Sequence, residues 1–116
     1  MTPFGARLRQ LRTQHNRALK DMARALKVSS AYLSALEHGH RAQPKQGFVQ
    51  QVAAYFNLAW EEVDELKALA QLSDPKPSID TRGLSPLATE VANRLKQRIK
   101  TLDEATLKSI LKQIGR

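Results

Sequence analysis

The stretch LKDMARALKVSSAYLSALEHG, Leu19 to Gly39, decides how the rest of the chain is read. Leu19, Met22, Ala23 and Leu26 recur at helical spacing, which predicts a short helix over about 19–26 with one apolar face. Leu33 and Leu36 mark a second helix over about 30–38, and only Lys27, Val28 and Ser29 lie between the two. Val28 is apolar and pins this tight turn to the core. Ser29 is a residue type that accepts a backbone N–H at a helix start, and Gly39 supplies the stop.

The same reading extends outward from this tight helix-turn-helix. Upstream, Thr2 caps and Pro3 opens a helix that carries Phe4, Leu8 and Leu11 inward and ends near Gln14 or His15. Downstream, Arg41 to Gln46 is a polar loop broken by Pro44. A fourth helix, about Lys45 to Phe56, is expected to bury Phe48, Val52, Ala53 and Phe56. A fifth, about Trp60 to Leu72, offers Val63, Leu66 and Leu69. No run of alternating polar and apolar residues suggests a sheet, so the expected class is all-α: a five-helix domain over residues 1–72.

Residues 73–85 contain Pro75, Pro77 and Gly83 and read as a linker, with at most a short extended piece at Ser78 to Thr81. Ser85 and Pro86 then start a helix whose Leu87, Val91, Leu95 and Ile99 form an apolar stripe at four-residue steps. Ala88, Ala92 and Leu102 widen it. Thr101 and Glu104 have capping-box spacing, which predicts a last short helix with Leu107, Ile110, Leu111 and Ile114 inward, ending at Gly115. The segment 86–116 is too short to sustain a core of its own, so it is expected to dock or dimerise.

The chain has 116 residues, 41% hydrophobic and 26% charged, which suits a folded domain rather than a disordered chain. It has no cysteine, which removes disulfides, thiolate zinc sites and cysteine nucleophiles. Residues 1–12 carry no continuous apolar run, and nowhere is there an apolar stretch of membrane-spanning length. A cytoplasmic protein with no membrane partner is therefore expected. The net charge of +8 favours a polyanion, because each neutralised phosphate releases condensed counterions. Nine Lys and Arg against Asp21 and Glu37 place the basic surface mainly in residues 1–60, whereas residues 61–75 hold five acids against Lys67. Nucleic acid is the leading candidate, ahead of a membrane surface as the competing reading, and aromatic residues, at 5%, are too few for a single-strand stacking platform.

Phe4 to Leu58 resembles the Cro and lambda-repressor type of helix-turn-helix domain, the XRE family. The resemblance rests on Leu8-Arg9-Gln10-Leu11-Arg12, Leu19-Lys20-Asp21-Met22-Ala23 and Val28 to Gly39, in order and correctly spaced over about half the chain. Ala18 stands where the family commonly has a Ser or Thr cap, and Lys27 stands where it favours Gly, which implies a lysine at positive φ. The resemblance implies that the third helix enters the major groove of double-stranded DNA. By position, Ser30, Ala31, Ser34 and Ala35 then face base edges, and Lys20, Ser29, Tyr32, His38, His40, Arg41 and Lys45 face the DNA backbone. It also implies a salt bridge between Arg12 and Glu37 that joins the first helix to the third.

His15, His38 and His40 lack a third ligand at metal spacing, and no nucleophile, base and orienter occur as a set, so neither a metal, a cofactor nor an enzymatic activity is expected. Trp60, Glu61, Glu62, Asp64 and Glu65 form an acidic helix start that suits the helix dipole, or alternatively a contact for RNA polymerase. The reading these residues support is a dimeric transcriptional repressor joined through Leu87, Val91, Leu95 and Ile99. Its rival is an antitoxin that clamps a toxin with the same stripe and autoregulates its operon.

Overall fold

The computed structural model describes residues 1–115, and the chain divides into two units, Met1–Pro77 and one beginning at Ser78. The described residues are all-α, with no strand. The first unit holds α1 (Pro3–Gln14), α2 (Leu19–Ala25), α3 (Ser30–Glu37), α4 (Gln46–Tyr55) and α5 (Trp60–Gln71).

Each helix contributes apolar residues to one core: Phe4, Leu8 and Leu11 from α1, Met22 and Ala23 from α2, Leu33 and Leu36 from α3, Val49 and Val52 from α4, and Leu66 and Ala70 from α5. Phe56, just past α4, joins them. Burial explains why α2 forms although its N-cap, Ala18, has no side chain to accept a hydrogen bond. The missing cap costs about 1 kcal/mol, whereas burying a Met-sized side chain contributes about 1.5–3 kcal/mol.

The expected Val52 and Ala53 of α4, and Phe56 at its C-cap, are buried, and one position differs from the sequence expectation. Val49 is buried and Phe48 only half-buried, because Phe48 turns to the rim and meets Tyr32 edge to face. In α5, Ala70 is buried while Val63 and Leu69 are half-buried, a rotation that brings small Ala70 onto the core.

Helices α1 to α4 all stop in the same way. After the C-cap comes a residue with positive φ: Asn16 at 53°, Lys27 at 60°, Gly39 at 79° and Asn57 at 51°. The next amide bonds back five residues, Arg17 to Arg12, Val28 to Ala23, His40 to Ala35 and Leu58 to Ala53, at 2.8–3.0 Å. These are Schellman closures, and they satisfy carbonyls that a helix end otherwise leaves open. Lys27 thus adopts the left-handed conformation expected of it, held by Val28 packed on the core behind it.

Ser73, which sequence placed at the start of the linker, is 2% exposed and belongs to the first unit. Its hydroxyl accepts the Phe4 N–H at 2.8 Å and donates to the Leu69 carbonyl at 2.6 Å. Thr2 Oγ1 accepts the Gly5 N–H, and Pro3 has none to satisfy, so the first turn of α1 is fully bonded. Ser73→Ala leaves a buried N–H unpaired and is expected to cost about 1–3 kcal/mol, read as a lower urea midpoint at unchanged slope.

The second unit contains α6 (Pro86–Arg98), a 3-10 turn (Ile99–Thr101) and α7 (Glu104–Gln113). Ser85 caps α6 by accepting from the Ala88 N–H, and Pro86 occupies the first turn. The expected capping box at Thr101 is overturned: Asp103 caps α7 and accepts the Thr106 N–H at 2.8 Å. Thr101 is spent inside the 3-10 turn, where its hydroxyl donates to the Arg98 carbonyl. The Thr106 hydrogen bond holds the Asp103 carboxyl below the usual carboxylate range. Ser78 to Thr81 forms no strand, and among the described residues of this unit none is buried.

Candidate nucleic-acid interface

Helix α3 is set by burial on one side and freedom on the other. Leu33, Leu36 and Glu37 are buried, Ser29, Ser30 and Ala31 are exposed, and Ser34 and Ala35 are half-buried at the margin. The four residues expected to face bases therefore lie on the solvent side of α3, at and beyond its N-terminal turn. Ser29 fixes that turn by accepting the Tyr32 N–H at 3.0 Å.

The rear of α3 is fastened to α1 twice. Glu37, 2% exposed, receives two hydrogen bonds from Arg12, Nε to Oε2 at 2.9 Å and Nη2 to Oε1 at 3.0 Å. This is the bidentate geometry that suits a guanidinium and a carboxylate. Two helical turns earlier, Gly5 lets the helices touch: a Cβ there would lie 2.1 Å from the Glu37 carbonyl oxygen. Gly5 had no role in the sequence reading, since a single glycine inside a helix is tolerated and does not by itself name a partner.

The basic side chains expected to face phosphate are free of burial. Lys20, Lys27, His38, His40, Arg41 and Lys45 are all exposed. Lys27, which was not expected among them, is exposed in the turn between α2 and α3. The Arg41 guanidinium lies 5.6 Å from the centroid of the Tyr32 ring and, among the described residues, makes no ion pair. His38 Nδ1 donates to the Ser34 carbonyl at 2.8 Å, which leaves Nε2 as its outward nitrogen. The N-terminal amides of α4, like those of α2, receive no side-chain cap from Lys45 or Ala18. Helix N-termini of this kind suit anions.

Elsewhere the acidic start of α5 faces solvent with Trp60, 79% exposed. Glu62 turns back to accept the Ala59 N–H, half of a capping box, since alanine has no acceptor to complete it. Glu62 and Glu65 also pair with Arg7 at 3.6 and 3.5 Å. Among the described residues no three His, Asp or Glu side chains converge as metal ligands, and no helix is long and apolar enough to cross a membrane. In the second unit Leu87 is 69% exposed, Val91 and Ile99 are each 52% exposed, and Leu95 is half-buried.

A short outward-facing helix, set on its predecessor by a hydrogen-bonded turn and braced from behind by α1, defines a helix-turn-helix unit. The chain belongs to the helix-turn-helix domain family, whose model matches residues 3–66. It is 33% identical over 63 residues to a protein of Bacillus subtilis (strain 168) named as the uncharacterized HTH-type transcriptional regulator RghRB. That match covers 54% of this chain and 45% of the relative, so the shared part spans less than half of the relative's length. No solved structure gives a significant match.

Proposed function

We propose that the chain is a sequence-specific duplex-DNA-binding transcriptional regulator, a dimeric repressor that inserts α3 into the major groove. The observation that carries this reading is the exposed N-terminal turn of α3, with the Arg41 guanidinium over the Tyr32 ring, while the rear of the helix is locked to α1. Membership of the helix-turn-helix family and the regulator name borne by the Bacillus relative support it.

On this reading Lys20, Ser29, His38, His40, Arg41 and Lys45 grip the sugar-phosphate backbone and set the register, and Tyr32, expected among them by position, serves them through its ring. Ser30, Ala31, Ser34 and Ala35 then meet base edges. Their side chains make single hydrogen bonds or touch a thymine methyl and cannot form a bidentate arginine-guanine contact. Discrimination per base pair is accordingly modest, and DNA shape contributes to it.

The DNA-binding domain, expected over residues 1–72, takes in Ser73 as well; the connection follows it to residue 85, and 86–116 is the joining segment. Leu87, Val91, Leu95 and Ile99 bring two copies together over half-sites about 34 Å apart. The exposure of this stripe, in a unit with no buried residue among those described, supports a second copy as its cover. The rival antitoxin reading uses the same stripe. Recovery of a second small protein with the chain, in place of a homodimer, would favour it.

Selection of bound duplexes from a random pool, followed by titration at several salt concentrations, tests the proposal. A palindromic winner is expected; no enrichment at all would reduce the protein to a nonspecific binder. Arg41→Ala is expected to weaken every duplex alike and to lower the salt slope by about 0.9. Ser34→Ala is expected to change the preferred sequence. Equal effects of both changes on all duplexes would contradict the placement of α3.

A further inference from the structure

Three groups from three successive parts of the chain meet at one ring. Tyr32 belongs to α3, Phe48 to α4, and Arg41 to the irregular loop between them. The Tyr32 and Phe48 rings pack edge to face, centroids 6.1 Å apart and planes at 85°. The Arg41 guanidinium stands over the Tyr32 ring at 5.6 Å.

The two arginines tied to α3 are held in opposite ways. Arg12 is consumed: both nitrogens facing Glu37 donate to it, and a carboxylate neutralises the charge. Arg41 is held by a π-face, which attracts the cation without neutralising it and leaves the edge N–H groups free to donate. A phosphate needs those N–H groups and that uncompensated charge. An unrestrained arginine on an irregular loop would also lose rotamer freedom on contact, and a ring that already restricts it lowers that cost.

We propose that Tyr32 is a positioning residue, whose ring presents the Arg41 guanidinium to a phosphate of duplex DNA while Phe48 holds the ring. The inference rests on the DNA-binding reading and assigns Tyr32 its part within it: the ring acts, through Arg41, and the hydroxyl does not.

The test uses the full chain and a mixed-sequence duplex at low salt, with Tyr32→Phe, Tyr32→Leu, Arg41→Ala and the Tyr32→Leu/Arg41→Ala double variant. Tyr32→Phe is expected to bind like the parent. Tyr32→Leu is expected to lose about 3-fold in affinity, the worth of an exposed cation–π contact, with its salt slope unchanged. In the Arg41→Ala background the same substitution is expected to change nothing, the coupling a double-mutant cycle isolates. Phe48→Leu keeps the ring but removes its edge contact; it serves if Tyr32→Leu folds poorly, and its smaller loss should likewise vanish without Arg41. A loss in Tyr32→Phe equal to that in Tyr32→Leu would overturn the proposal in favour of a hydroxyl contact. Equal losses with and without Arg41 would overturn it in favour of a merely structural ring. A parent chain that binds no duplex sinks the DNA reading itself, whereas a binding parent with additive losses sinks only this inference.

Discussion

Gly5→Ala is expected to destabilise the protein and abolish duplex binding together. An added Cβ would sit 2.1 Å from the Glu37 carbonyl oxygen and 2.7 Å from its carbonyl carbon and Cα, all backbone atoms that no rotamer change can move aside. Relief requires the end of α3 to shift bodily away from α1. Overpacking of this kind costs about 1–3 kcal/mol and sometimes more, and the collision with backbone puts this site at the upper end. Alanine's better helix propensity returns only about 1 kcal/mol. The net loss, roughly 2 kcal/mol or more, is a large share of a stability that for small domains is about 5–15 kcal/mol. Urea titration measures it, and a duplex titration of the folded variant reads the displacement of α3. A variant stabilised by about 1 kcal/mol, as an open helical site would give, would refute the close approach.

The second large effect is expected from Arg12→Met. Glu37 is 2% exposed, and its two partners on Arg12 are the hydrogen bonds that make its charge tolerable there. Removing them strands a buried carboxylate, at a cost of about 3–5 kcal/mol. The double variant Arg12→Met, Glu37→Leu is expected to recover most of that loss, because replacing both members of a buried pair with apolar groups is often near neutral. The reverse single change, Glu37→Leu, should cost less than Arg12→Met, since the Arg12 side chain is 15% exposed and its head can turn to water. Arg7 provides the internal control. Its pairs with Glu62 and Glu65 involve half-exposed acids at 3.5 Å or more, so Arg7→Ala should cost under about 1 kcal/mol. Equal losses for Arg7→Ala and Arg12→Met would remove the distinction between the two sites.

What the sequence discloses here is what neighbouring residues decide among themselves. Thr2 with Pro3, Ser29 and Ser85 with Pro86 each satisfy amides within three residues, so the starts of α1, α3 and α6 were legible. Lys27 at positive φ was implied by the resemblance, which sets it where the family favours Gly. Gly5 and Ser73 were not legible, since their partners lie 32 and 69 residues away and their own neighbourhoods look unremarkable. Around α4 the expected Val52, Ala53 and Phe56 are buried, and only Val49 takes the place given to its neighbour Phe48, a choice that the spacing of apolar residues alone does not resolve. At α7 the sequence reading chose Thr101, whereas Asp103, two residues on, is the cap, because the 3-10 turn engages Thr101. The candidate interface was legible only through resemblance to a family. The physical reason each of its members stands free, or is held, appears only with the coordinates.

The four Schellman closures carry a thermodynamic consequence. Helix ends sealed by paired backbone bonds have few loose peptide units left to order when another molecule arrives. The entropy lost on association therefore falls mainly on surface side chains, and the heat-capacity change should reflect buried contact area rather than coupled folding. Encounter should likewise proceed without waiting for a backbone rearrangement, so long-range charge attraction, with its dependence on dissolved ions, sets the capture rate.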